Sequence, residues 1–182
     1  MSSTEDNAPA EYASDMLFTD GLPSNDPKVG NRGTSAATAV GISYRQLDYW
    51  DRTGLLQPSV RGAAGSGSQR LYAFRDILVL KLVKRLLDTG VSLQQIRIAV
   101  DQLRAAGIND LATITLMSDG ARVYLCTTQD EVMDLLSRGQ GVFGIAVGRV
   151  LREVEASLIN MKENNIDDVD ELAARRQIRK AV

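Results

Sequence analysis

The chain has 182 residues, 44% of them hydrophobic, and a formal net charge of −2 from 21 basic and 23 acidic side chains. It has no histidine and one cysteine, Cys126, which rules out an intramolecular disulfide and removes the commonest metal ligand and general base. No stretch approaches the ~20 apolar residues of a membrane helix, and the acidic N-terminus lacks the basic lead and apolar run of a secretory signal, so a reducing cytoplasm fits.

The charge is unevenly spread. Residues 1–34 hold two basic and six acidic side chains, residues 35–107 ten and five, and residues 108–182 nine and twelve. Only the middle segment carries the positive surplus of a polyanion-binding face. Residues 1–33 are rich in Ser, Asn, Asp, Pro and Gly. They offer too little apolar surface to offset their ordering entropy and read as a disordered acidic arm.

From residue 34 the pattern becomes helical. Ser35 to Val40 is a short Ala-rich helix closed by Gly41. Ser43-Tyr44-Arg45-Gln46 has capping-box spacing, the Ser hydroxyl taking the third amide and Gln46 reaching back. The helix it opens runs to Thr53 and stops at Gly54, a natural left-handed terminator. Two short helices across a tight turn form a helix-turn-helix skeleton. Pro58 blocks continuation, and residues 59–72 carry three glycines and three serines ahead of Arg70-Leu71-Tyr72. That composition predicts a hairpin with a loose tip and a returning strand.

Phe74 to Thr89 is apolar on most sides, so this helix is expected to be central, although Ala73 cannot cap it. Ser92 to Gln95 is a second box. It opens a helix striped by Leu93, Ile96, Val100 and Leu103 and ended by Gly107. The period then shifts. Ala112–Met117 and Arg122–Thr127 read as strands joined by a turn at Ser118-Asp119-Gly120. Thr128 to Glu131 is a third box, with a helix to about Ser137. After Gly139-Gln140-Gly141, a last helix is expected from Val142 to about Met161. Cys126, in a strand, reads as a buried small apolar residue.

Residues 42–106 resemble the DNA-binding domain of MerR-family transcription regulators, with their closest likeness to actinobacterial members. The resemblance rests on Ser43-Tyr44-Arg45-Gln46-Leu47-Asp48-Tyr49-Trp50, then Gly54-Leu55-Leu56-Gln57-Pro58, then Arg70-Leu71-Tyr72, then Gly90-Val91-Ser92-Leu93-Gln94-Gln95-Ile96, in the family's order and spacing. It implies a mainly α fold: a winged helix-turn-helix at residues 34–107 and a hairpin-plus-helices module at 108–162 for dimerisation or sensing. A charged tail, 163–182, completes the chain. It also implies a homodimer on a palindromic promoter site in double-stranded DNA, with RNA polymerase as a further partner, in a cytoplasmic, nucleoid-associated protein.

A major groove admits one helix, read by side chains near its N-terminus. Here those are Ser43, Tyr44 and Arg45, and Arg45 suits either a guanine edge or a phosphate. The resemblance makes Tyr49 the phosphate-side aromatic and Trp50 the core one. Arg61 and Arg70 flank the glycine-rich tip, where they can straddle phosphates or enter the minor groove. Tyr72 lies two residues on from Arg70 and so faces the same side. Asp48 stands where the family usually has a second basic residue, and it can orient Arg45 or Arg52 or accept from a cytosine amine.

In the last helix, Phe143, Val147, Val150, Val154 and Leu158 recur at three and four, a seam for a partner helix or for the chain's own hairpin. No cofactor, metal site or catalytic constellation is legible. The other reading of the fold is an adaptor that binds another regulator instead of DNA.

Overall fold

The computed structural model describes residues 29–62, 69–106, 111–138 and 143–161. Most of the expected acidic arm, the hairpin tip, the Gly139–Gly141 break and the C-terminal tail lie outside these residues.

Two helices meet first. α1 (Gly33–Val40) buries Ala36, Ala37, Ala39 and Val40, small side chains that let it lie close against its neighbours. α2 (Tyr44–Arg52) carries the serine half of the expected box, the Ser43 hydroxyl accepting from the Gln46 amide at 3.1 Å. It buries Leu47, Trp50 and Asp51. It ends at Thr53 and Gly54, whose φ of +70° is costly for any residue with a Cβ.

The first correction concerns the arm. Asn31–Arg32 form β1, which pairs antiparallel with β2 (Leu71–Tyr72), and α1 starts at Gly33 rather than Ser35. Residues 31–33 therefore belong to the folded body. A two-residue strand has no periodicity to read, and its partner lies about forty positions away in sequence. On β2's other side Arg61 and Leu71 exchange both backbone hydrogen bonds, at 3.2 and 2.9 Å. Leu71 thus has Arg32 on one flank and Arg61 on the other.

α3 (Phe74–Asp88) is central as expected, burying Phe74, Ile77, Leu78, Val79, Leu80, Leu82, Val83 and Leu86. Each such side chain contributes about 1.5–3 kcal/mol on burial. The cap that Ala73 lacks comes from Asp76. Its Oδ2 accepts from the Ala73 amide (2.9 Å), the Ser59 amide (2.8 Å) and the Ser59 hydroxyl (2.7 Å), closing the helix start and tying down the root of the hairpin. α4 (Leu93–Ala105) opens with Ser92 accepting from Gln95.

Helix C-termini end in unsatisfied carbonyls, and neighbouring cations close them. Lys81 donates to Ala39 and Val40 at the end of α1, and Arg97 to Thr53 at the end of α2. Arg75 donates to Leu103, Arg104 and Ala106 at the end of α4.

The C-terminal part holds β3 (Thr115–Ser118), β4 (Val123–Cys126), α5 (Gln129–Ser137), β5 (Phe143–Ala146) and a helix, α6, over 147–161. The hairpin turns at Gly120 (φ +88°), where Asp119 accepts from the Ala121 and Arg122 amides. α5 has the full predicted box between Thr128 and Glu131, yet none of its residues is buried.

The second correction falls here. Residues 143–146, expected as the first turn of the last helix, form a strand instead. It pairs with β3 in the sheet order β4-β3-β5, with Leu116 opposite both Leu125 and Ile145. Four residues, Phe-Gly-Ile-Ala, fit either period, and the open edge of β3 decides between them. Phe143 is therefore not on the helix and is 37% exposed.

The rest of the expected dimer seam is filled from within. Val147, Val150, Val154 and Leu158 are 0–2% exposed and belong to one core cluster with residues of α3, α4 and β3. An Arg85–Glu153 ion pair at 2.5 Å joins α3 to α6 beside them. The stripe at three and four is real, but it faces the chain's own core rather than a free partner face. Among the described residues one contiguous core cluster runs from Ala36 to Leu158.

Candidate nucleic-acid interface

α2 divides cleanly. Leu47 and Trp50 point into the core at 1% and 3% exposure, while Tyr44, Arg45, Gln46 and Tyr49 face outward. The two adjacent aromatics separate as expected, Tyr49 exposed and Trp50 buried. The outward group follows directly on the Ser43 cap, so it clusters at the helix's positive end. Arg45 makes no ion pair among the described residues.

The strand layer beside α2 has two unlike faces. Residues opposite one another in an antiparallel pair share a face, so Arg32, Leu71 and Arg61 lie in one row. Both arginines are exposed, and Arg61 Nε donates to the Gln69 carbonyl at 3.1 Å. The start of α1 abuts α2 closely. A Cβ on Gly33 would come within 2.8 Å of the Tyr44 ring, so the backbone beside Arg32 adjoins the first turn of α2. Arg32 thus joins the candidate surface, which sequence reasoning missed because it assigned that residue to the arm.

Arg70 and Tyr72 share the opposite face, as their spacing requires, and that face points inward. Tyr72 is 0% exposed. Its hydroxyl has no hydrogen-bond partner among the described residues, and burial pushes its pKa well up. It is a core residue, which corrects its expected role at DNA. Arg70 also turns toward α2. Its side chain is 13% exposed, with Nη1 2.7 Å from Asp48 Oδ1 and Nε 2.6 Å from Asp51 Oδ2. The Nε contact is a close ion pair set off the line of a good hydrogen bond. Burial opposes the Arg70 charge. The Asp48 hydrogen bond and the charges of Asp51 and Asp48 outweigh that and raise its pKa. Asp48 also pairs with Arg52 at 3.2 Å.

Residues 32–103 match the MerR HTH family regulatory proteins. The chain is 58% identical over 161 residues to an HTH-type transcriptional regulator of Mycobacterium tuberculosis H37Rv, covering 85% of this chain and 72% of that protein. The chain belongs to the MerR family of helix-turn-helix transcription regulators. It is also similar, over a shorter span, to the HTH-type transcriptional regulator HmrR of Sinorhizobium medicae, 30% identical across 44% of this chain and 54% of that one. Heavy metal-dependent transcription regulator 1 of Rhizobium meliloti is 34% identical across 37% of this chain and 44% of that one. DNA binding follows from the helix-turn-helix, and the family is one of regulators rather than enzymes. Among the described residues no helix is long and apolar enough to cross a membrane.

The positive surplus of this MerR regulator's middle segment is mostly committed to structure. Arg75, Lys81 and Arg97 close helix ends, and Arg104 donates to the Gln57 carbonyl. Lys84 and Arg85 pair with Asp88 and Glu153. What remains for a polyanion is concentrated at Arg45, Arg61 and the added Arg32.

Proposed function

We propose that this chain is a sequence-specific transcription regulator that binds a palindromic promoter site as a homodimer, with α2 entering the major groove. Ser43, Tyr44 and Arg45 meet base edges or the flanking phosphates, and the α2 N-terminus adds its own anion preference. Arg61 and Arg32, on the outer row of the wing, and Tyr49 grip the sugar-phosphate backbone. The observation that carries the reading is the exposure of Tyr44, Arg45 and Tyr49 on a helix whose other side holds Leu47 and Trp50 in the core.

Dimerisation uses a surface other than the Val147–Leu158 stripe, which is occupied within the chain. RNA polymerase is the expected further partner at the promoter, and the cytoplasm, on the nucleoid, is the expected place of action. The test is a gel shift with the duplex that the wild-type chain enriches from a randomised pool, run across a salt series beside sedimentation of the complex. Specific binding should weaken steeply with salt as phosphate contacts release counterions, with two protein chains per duplex. Salt-independent binding, or one chain per duplex, contradicts the proposal.

A further inference from the structure

We infer that Asp48, Arg70 and Asp51 form a positioning clamp that fixes the wing against the recognition helix, so that Arg70 serves DNA binding without touching DNA. The inference rests on the DNA-binding reading above.

Asp48 and Asp51 lie three apart on α2 and so share one face of it. Arg70 immediately precedes β2, the strand whose partners carry Arg32 and Arg61. Its guanidinium reaches both carboxylates at 2.7 and 2.6 Å, using two different nitrogens. Only a planar fork can do this; an ammonium on a flexible stem is a single point charge. Exposed ion pairs contribute little, but Arg70 and Asp51 are only 13% and 12% exposed. Removing one member of so enclosed a set leaves an uncompensated charge near the core.

The charge count supports positioning over grip. Asp48, Asp51, Arg52 and Arg70 together are neutral, and Asp48 is the more exposed partner of Arg70, at 31% against 13%. A guanidinium already holding two acids has little left for a phosphate. What the clamp sets is the distance from Arg45, on α2, to Arg61 and Arg32, on the wing row. It also gives a physical account of the acid at position 48.

The prediction has an unusual sign. If only net charge mattered, Asp51→Asn would add positive character beside DNA and tighten binding. The clamp requires Asp51→Asn to weaken it, by about tenfold, the scale of coupling within one ion-pair network. Arg70→Gln should weaken binding equally, and the double variant should be no worse than either single one. Because Arg61 and Arg32 still reach their phosphates once bound, the loss being the cost of ordering the wing, the slope of log affinity against log salt should stay at the wild-type value in Arg70→Gln, whereas losing a true phosphate contact lowers it by about 0.9. Arg70→Lys should not rescue.

A DNA-free readout separates this from the reading beneath it. The Arg61 and Leu71 amides, hydrogen-bonded to each other's carbonyls, should exchange faster with solvent in Asp51→Asn and Arg70→Gln. Should the wild-type chain enrich no duplex, the DNA-binding proposal fails while amide exchange still judges the clamp. Tighter binding by Asp51→Asn, a salt slope reduced in Arg70→Gln, or unchanged exchange at Arg61 and Leu71 overturns it.

Discussion

Asp76→Ala is the sharpest stability prediction. Asp76 is 5% exposed, and its Oδ2 accepts three hydrogen bonds, from the Ala73 amide and from the amide and hydroxyl of Ser59. The Ala73 amide is buried with its residue at 6% exposure, so water cannot easily replace the carboxylate there. An orphaned buried donor of this kind costs about 1–3 kcal/mol. Ser59 is exposed, so its two donors can turn to water, and their loss adds only about 1 kcal/mol in total. The expected cost is therefore about 2–4 kcal/mol, with Asp76→Asn near half of that because an amide oxygen still accepts but without charge. At several degrees per kcal/mol for a domain of this size, the midpoint should fall by about 10 °C. Thermal unfolding followed by far-ultraviolet circular dichroism and by Trp50 fluorescence measures both. A loss under about 1 kcal/mol in Asp76→Ala would refute the argument that one carboxylate both caps α3 and holds Ser59.

Arg61→Ala and Arg32→Ala should each lower the salt slope of DNA binding by about 0.9 with little change in thermal midpoint. A variant that left the slope untouched would take that residue off the phosphate path. Val154→Ala should cost about 2 kcal/mol, and under conditions where the variant is folded its self-association in sedimentation should match the wild type, since Val154 is buried within its own chain. Self-association weakened in the folded variant would mean the stripe meets a second chain after all. Glu131 accepts from the Thr127 and Thr128 amides, which hold its carboxyl below the usual carboxylate range. A folded-state pKa depressed in this way gives stability that is present above the ordinary carboxylate value and lost as pH falls through the folded one. Carbon-detected NMR titration of Glu131 should show the low value, and Glu131→Gln should flatten the acid limb of the stability curve. Burial pushes the Cys126 thiol up, so the native chain should resist alkylation and react only on unfolding.

Local rules made most helices legible. The serine caps at Ser43 and Ser92, the box at Thr128 and the stops at Gly54 and Gly90 are chain-local chemistry, and helices start and end within a residue or two of them. The turn at Asp119-Gly120 was equally local. What escaped depends on distant partners. Asn31–Arg32 become a strand only because β2 lies beside them, and residues 143–146 only because β3 has an open edge. The stripe in α6 is legible as apolar, but no spacing rule says whose core an apolar stripe enters. Arg70 and Tyr72 were rightly placed on one face, yet a two-residue strand carries no mark of which face looks inward. The acids at positions 48 and 51 held that information, since an arginine with two carboxylates in reach is poorly placed for phosphate.

The most direct test of the central claim is dimethyl sulfate protection on the duplex enriched by the wild-type chain, because that reagent reads guanine N7 in the major groove. The wild-type chain should protect guanines in two half-sites spaced by a whole number of helical turns, roughly 34–36 Å each, and Arg45→Ala should expose one position per half-site again. Protection confined to a single site, or absent from both half-sites, would contradict the placement of α2 in the groove.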